Sequence, residues 1–133
     1  MIVKYTTVVA VVLMHTYVIC AMAGIQLHQD ISTKQADSVI RNSKNVVVLD
    51  VRTPEEFRLG HLQNAVSMDI YDSKFHYSAN TLSKEATILV YSRSGRRSAD
   101  AVEILKNLRY PRVLNMLGGI VAWKNEGRRV VKG

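Results

Sequence analysis

The sequence predicts an α/β domain: a central parallel sheet flanked by helices on both faces. Three observations carry that expectation. Short apolar runs, "NVVVLDV" at 45–51, "TILVY" at 87–91 and "RVLNM" at 112–116, alternate with segments of helical periodicity. These runs are apolar almost throughout rather than at every second residue, as in strands covered on both faces. Cap and turn residues fall where one pattern gives way to the next. With 133 residues, 47% of them apolar and 22% charged, the chain can bury a real core in one domain and is not of disordered composition. No internal repeat or low-complexity tract is visible.

Each element has a local reason. Ser32 and Gln35 have the spacing of a capping box, and Ala36, Val39 and Ile40 follow at helical intervals, so a helix is expected from Thr33 to Arg41. The first apolar run then forms a strand. In "RTPEEFRLGH", Thr53 reads as an N-cap, Pro54 as the first helical residue and Gly60 as the stop. Glu55 and Glu56 read simply as acids that favour a helix start. "NAVSMDI" at 64–70 is expected to be a second strand, and 71–83 a polar loop with one helical turn. "TILVY" and "RVLNM" are the third and fourth strands. Between them Ala99, Val102, Leu105 and Leu108 share one helical face. Gly118-Gly119 turns the chain into a last helix, which holds Trp123 as a core anchor and ends at Gly127.

The segment with chemical content is "YSRSGRRS" at 91–98, between the "TILVY" strand and a helix start. In open parallel sheets, ligands bind beyond the carboxyl ends of the strands. Successive amides in a tight turn opening onto a helix N-terminus stabilise negative charge. Gly95 lets the backbone curve, and Arg97 can add a charge-assisted hydrogen bond. Ser92, Arg93, Ser94, Gly95, Arg96 and Arg97 are thus the candidate anion loop, with Ser92 at the position where such loops present a nucleophile. Taken alone, the segment reads equally well as an ordinary strand-to-helix turn with exposed arginines. Arg58 and Arg93 are candidates for the mouth of a pocket. Asp50 and Arg52 are expected to form an ion pair that fixes a strand end.

The amino terminus differs in kind. Lys4, an apolar run and Ala21-Met22-Ala23 are the parts of a secretory signal peptide, with cleavage expected after Ala23. Cleavage implies a periplasmic or secreted protein. The alternative is a retained membrane anchor, since Tyr5 to Ile25 is just long enough to span a bilayer of ~30 Å, although His15, Thr6, Thr7 and Thr16 interrupt it. A lipoprotein anchor is disfavoured because Val18 and Ile19 precede Cys20 where small residues are expected. Cys20 is the only cysteine. Removal of the leader would leave no thiol and no disulfide.

Net charge is +7, one unit of it from Lys4 in the leader. Nucleic acid is not the expected partner, because the basic residues are scattered and no aromatic-basic stacking pattern accompanies them. No metal or other cofactor is expected: the histidines have no ligand-like spacing.

Several segments together resemble the rhodanese (sulfurtransferase) family. The matching pieces are Asp50-Val51-Arg52, Pro54-Glu55-Glu56-Phe57, Gly60-His61-Leu62, Arg93-Ser94-Gly95-x-Arg97-Ser98 and Gly118-Gly119-x-x-x-Trp123, in family order across roughly 31–131. The resemblance implies one rhodanese-like domain over 24–133, after the leader at 1–23, with His61 in a structural turn. It also implies a mechanism. In active members a cysteine at the first loop position takes a sulfane sulfur from a donor such as thiosulfate and passes it, as a persulfide, to a thiol or cyanide. Two departures stand out. Gln63-Asn64 replaces the usual proline-glycine, and Asn tolerates the left-handed conformation such a turn needs. Ser92 replaces the cysteine.

A hydroxyl is far harder to ionise than a thiol, and it has no sulfur to carry a persulfide. The chain as written is therefore expected to be inactive in persulfide chemistry, a pseudoenzyme with a retained anion-binding loop. Its expected partner is a small sulfur-containing, thiosulfate-like anion or a thiol acceptor, with a docked protein as the further candidate; a membrane is a partner only if the leader is retained. Two accounts of Ser92 remain open: natural loss in a binding module, or replacement of the cysteine in an active sulfurtransferase. Serine hydrolysis would need a nearby histidine among His28, His61 and His76. Phosphate hydrolysis is disfavoured because the span from Ser92 to Arg97 is one residue too short for a phosphatase loop.

Overall fold

The computed structural model describes residues 26–133. The leader, its Ala21-Met22-Ala23 site and Cys20 lie outside the described residues. Five strands, β1 (Leu27–Ile31), β2 (Val46–Asp50), β3 (Val66–Ser67), β4 (Thr87–Tyr91) and β5 (Arg112–Met116), form one sheet in the order β1-β5-β4-β2-β3. Every pairing is parallel. Five helices accompany it: α1 (Thr33–Asn42), α2 (Pro54–Leu59), α3 (Phe75–Ala79), α4 (Arg96–Asn107) and α5 (Gly119–Asn125).

Two apolar clusters pack on opposite faces of the sheet. Phe75, Ala79, Ala101 and Leu105 from α3 and α4 meet Leu49, Ile88, Val90 and Val113. Ala36, Ile120 and Trp123 from α1 and α5 meet Val48, Leu89, Leu114 and Met116. Because side chains alternate along a strand, β4 sends Ile88 and Val90 to one cluster and Leu89 and Tyr91 to the other. That two-sided burial is why its sequence is apolar throughout. β4 is the central strand, and the Ser92 loop leaves its carboxyl end.

The helix starts follow the sequence signals. Ser32 with Gln35, and Thr53 with Glu56, both form reciprocal capping boxes, and Pro54 is the first residue of α2. The strand expected at 64–70 is shorter: only Val66 and Ser67 pair with β2 before the chain turns away. The helical turn expected in the polar loop is α3, anchored by buried Phe75 and Ala79. β1 was not expected. It is an edge strand of sequence "LHQDI" in which only Ile31 is buried, so it lacks the apolar run that marks the inner strands. Among the described residues, no helix is long and apolar enough to cross a membrane.

Candidate functional site

The site is built on the turn from β4 to α4. Ser92 is 1% exposed, directly after the buried end of the central strand. Its Oγ accepts a hydrogen bond from the Gly95 amide at 3.1 Å and donates to Ser98 Oγ at 3.3 Å. Ser98 Oγ in turn donates to the Gly95 carbonyl at 3.0 Å. The turn thus closes around the Ser92 hydroxyl. Gly95, at φ +104°, is the N-cap of α4 and adopts a conformation that side chains disfavour. The first amides of α4 have no intrahelical acceptor by geometry and carry the positive end of the helix dipole.

The loop is clamped from the other side by the Gly118-Gly119 turn. The amides of Ile120 and Val121, at the start of α5, donate to the carbonyls of Ser92 (2.9 Å) and Arg93 (3.1 Å). Gly119 sits so close that a Cβ there would lie 2.4 Å from both carbonyl oxygens. The two glycines therefore do more than turn the chain: they let a second helix start bind the carbonyls of Ser92 and Arg93.

Arg97, expected to reach toward a loop-bound anion, is held by Glu56. Its two terminal nitrogens donate to the two carboxylate oxygens of Glu56, each at 2.7 Å. The Arg97 guanidinium is also 5.9 Å from the ring centroid of Tyr71. Glu56 serves two helices at once, since it also accepts from the Thr53 amide at the start of α2. The hydrogen bonds from Arg97 outweigh partial burial and, with the Thr53 contribution, hold the Glu56 carboxyl well below its ordinary range, at about 2. The same pair raises the Arg97 guanidinium. Arg93, Ser94 and Arg96 are exposed.

Beneath the loop lies a buried polar knot. Asp50 is fully buried and Arg52 is 4% exposed. The Arg52 Nη2 donates to Asp50 at 2.7 Å and to the Gly60 carbonyl at 2.7 Å. The Tyr91 hydroxyl donates to Asp50 and accepts from the Leu62 amide. Burial works to lower the Arg52 guanidinium, but the hydrogen bond and charge of Asp50 raise it on balance. Burial, then the Asp50 charge, push the Tyr91 hydroxyl far up, so it stays a donor. The knot ties the ends of β2 and β4 to the turn after α2. His61 belongs to the same support. Its Nδ1 donates to the Phe57 carbonyl at 3.0 Å, its ring stacks on Phe57 at 3.7 Å, and its backbone pairs with Val131. Asn64 adopts φ 62°, the left-handed conformation that its place in this turn requires.

The structure brings Ser92, Gly95 and Arg97 together with three residues that sequence reasoning had not assigned to the site: Glu56, Ser98 and Gly119. Glu56 was already explained as a helix-start acid, so nothing in the sequence demanded a second partner. Ser98 belonged to the motif but its hydroxyl contact is tertiary. Among the described residues, no imidazole or carboxylate contacts Ser92 Oγ. His28 is half-buried, and its Nε2 donates to the Tyr110 carbonyl; His76 is exposed. No group of three or more His, Cys, Asp or Glu side chains converges among the described residues.

Known proteins resemble both sequence and fold. The family model of the rhodanese-like domain matches residues 32–126. A sulfurtransferase of Allochromatium vinosum is 30% identical over 102 residues, covering 77% of this chain and 94% of that protein. The thiosulfate sulfurtransferase PspE of Escherichia coli is 34% identical over 70 residues, 53% of this chain and 67% of that one. The adenylyltransferase and sulfurtransferase UBA4 of Candida albicans is 32% identical over 103 residues, but the chain spans only 23% of that longer protein. Among solved structures, a rhodanese-related protein of Thermoplasma volcanium superposes with a TM-score of 0.70 at 30% identity, covering 79% of this chain and 99% of that one. A rhodanese-like domain protein of Staphylococcus aureus gives 0.68 at 28% identity, covering 79% and 98%. Taken with the parallel sheet and the loop beyond its central strand, these matches establish that the chain belongs to the rhodanese-like domain family.

Proposed function

We propose that this chain is a rhodanese-like protein that binds a small sulfur-containing anion at the Ser92 loop and does not carry sulfur covalently. The observation that supports this most directly is the setting of Ser92 Oγ. It is fixed by the Gly95 amide and Ser98 Oγ, and the hydroxyl relay ends on a carbonyl rather than a base. A carbonyl cannot take the proton that the serine hydroxyl must lose to attack as an alkoxide. Persulfide formation also needs a thiolate to break the donor's sulfur–sulfur bond and keep the sulfane sulfur, and oxygen forms no such store. What remains is a cradle of amides and a helix N-terminus suited to negative charge. A thiosulfate-like ligand is supported by kinship with a protein named as a thiosulfate sulfurtransferase. The leader extends this reading to an exported protein, and N-terminal sequencing of the mature protein tests that extension.

The test is sulfur transfer from thiosulfate to cyanide by the purified protein, beside calorimetric titration with thiosulfate and sulfate. The expected result is binding without turnover. Ser92→Cys is expected to gain sulfur transfer at least tenfold above the parent, because the clamp, the cap and the supporting knot are already in place. Turnover by the serine form at the variant's level would overturn the proposal.

A further inference from the structure

α5 touches the Ser92 loop at its start, where the Ile120 amide donates to the Ser92 carbonyl. At its other end a separate groove of about 450 Å³ opens between the exit of α5, α1 and the Leu62-Gln63 turn. Sites for small molecules run from about 300 to 1,000 Å³. Ser92, Gly95 and Arg97 do not border this groove. Its floor is apolar: Ile40 is half-buried, and Leu62 and Trp123 are buried. Its rim carries three guanidinium groups, Arg41, Arg128 and Arg129, against one carboxylate, Asp37. Arg41 Nε donates to Asp37 at 3.0 Å, and Arg128 Nη1 donates to Glu126. These pairings leave a surplus. Among the described residues, Arg129 has no carboxylate within ion-pair distance, and the buried Nε of Arg128 has no acceptor. One positive charge and one N–H donor thus stay uncommitted beside an apolar floor.

We propose that this groove binds an aromatic carboxylate, with its ring against Ile40, Leu62 and Trp123 and its carboxylate at Arg128 and Arg129. The arginine fork matches the two oxygens of a carboxylate. The Arg128 guanidinium lies 5.5 Å from the centroid of the Trp123 ring, and both groups are flat surfaces on which an aromatic ring packs. A rigid ring also loses less conformational freedom on binding than a flexible chain. The leader is a poor occupant, since residues 1–25 carry Lys4 and no acidic residue to meet the arginines. This site stands independently of the anion reading of the Ser92 loop.

Trp123 is the only tryptophan, so isotope-labelled protein gives one indole N–H signal in nuclear magnetic resonance, from the Nε1–H that donates to the Arg129 carbonyl. The full chain is titrated with naphthoate, with the uncharged naphthylmethanol and with acetate, and affinities are read by calorimetry. Naphthoate is expected to bind at least about tenfold more tightly than either of the others, and to shift the Trp123 indole signal while the Gly95 amide stays in place. Arg129→Ala changes an exposed side chain and leaves the carbonyl that accepts from Trp123. It is expected to weaken naphthoate about tenfold, the size of one charge-assisted hydrogen bond. Lys132→Ala, exposed and outside the groove, is expected to leave naphthoate affinity within about twofold. Equal affinity for the alcohol and the acid overturns the anionic end of the site, and the proposal with it. So does a naphthoate-induced shift at Gly95 in place of the indole, or an Arg129→Ala protein that binds naphthoate as the parent does. No binding of naphthoate overturns the proposal and leaves the Ser92 loop untouched.

Discussion

Glu56 shows how one side chain can carry two duties that only partly register in sequence. Its place as an acid in a first helical turn was legible after Thr53 and Pro54, whereas its bidentate grip on Arg97, 41 residues along the chain, was not. The pair is part-buried, with side-chain exposures of 18% for Arg97 and 29% for Glu56. Its folded carboxyl titrates at about 2, below the unfolded value of 4.5. A depressed carboxyl stabilises the fold above the unfolded value, and that contribution is lost as pH falls toward the folded one. Urea denaturation is thus expected to show a loss of about 1–3 kcal/mol between pH 4.5 and 2 that Glu56→Gln lacks. The variant is expected to be weaker than the parent at pH 6 and to have a flatter profile below pH 4.5. Equal pH profiles for the two proteins would show that the pair is energetically idle.

At the scale of elements, the site is the meeting of two helix starts. α4 is capped by Gly95, whose amide donates to Ser92 Oγ, while α5 is capped by Gly118 and offers the amides of Ile120 and Val121 to the loop's carbonyls. This division requires Gly119 to lie against the backbone of Ser92 and Arg93 at φ +58°. Gly119→Ala places a methyl group against two carbonyl oxygens in a disfavoured conformation. It is expected to cost about 2–4 kcal/mol in urea unfolding and to abolish thiosulfate binding in the folded fraction. Ser94→Ala, on the exposed side of the same loop, is the control and is expected to change stability by less than about 0.5 kcal/mol. A Gly119→Ala protein as stable as its control would mean that the clamp is slack.

In the whole molecule, one sheet separates two apolar clusters, and β4 supplies residues to both. Neither cluster can dissolve without exposing the back of the strands that support the other. Unfolding is therefore expected to be a single transition, as is usual for domains under about 150 residues. Trp123, 6% exposed in one cluster, reports on that face by fluorescence, while far-ultraviolet dichroism reports on all the elements. Coincident urea midpoints are the expected outcome, and separated midpoints would mean that the two layers fail independently. The buried knot of Asp50, Arg52 and Tyr91 reinforces this coupling, because it ties two inner strands to the turn at Gly60–Leu62.

The sequence by itself determined the class of fold, the inner strands, the capped helix starts, the loop that bears Ser92 and the absence of sulfur at its first position. Those features are written in local pattern: apolar runs for strands buried on both faces, cap residues at fixed offsets, glycine where the backbone must bend. Tertiary structure alone decided the rest. β1 is held by backbone pairing to β5 rather than by apolar side chains, so its composition does not announce it. The direction of Arg97, the closeness of Gly119 to the loop, and the joining of Ile40, Leu62 and Trp123 in one groove depend on contacts between residues distant in the chain. A side chain's partner is fixed by packing in three dimensions, and no spacing along one dimension encodes it.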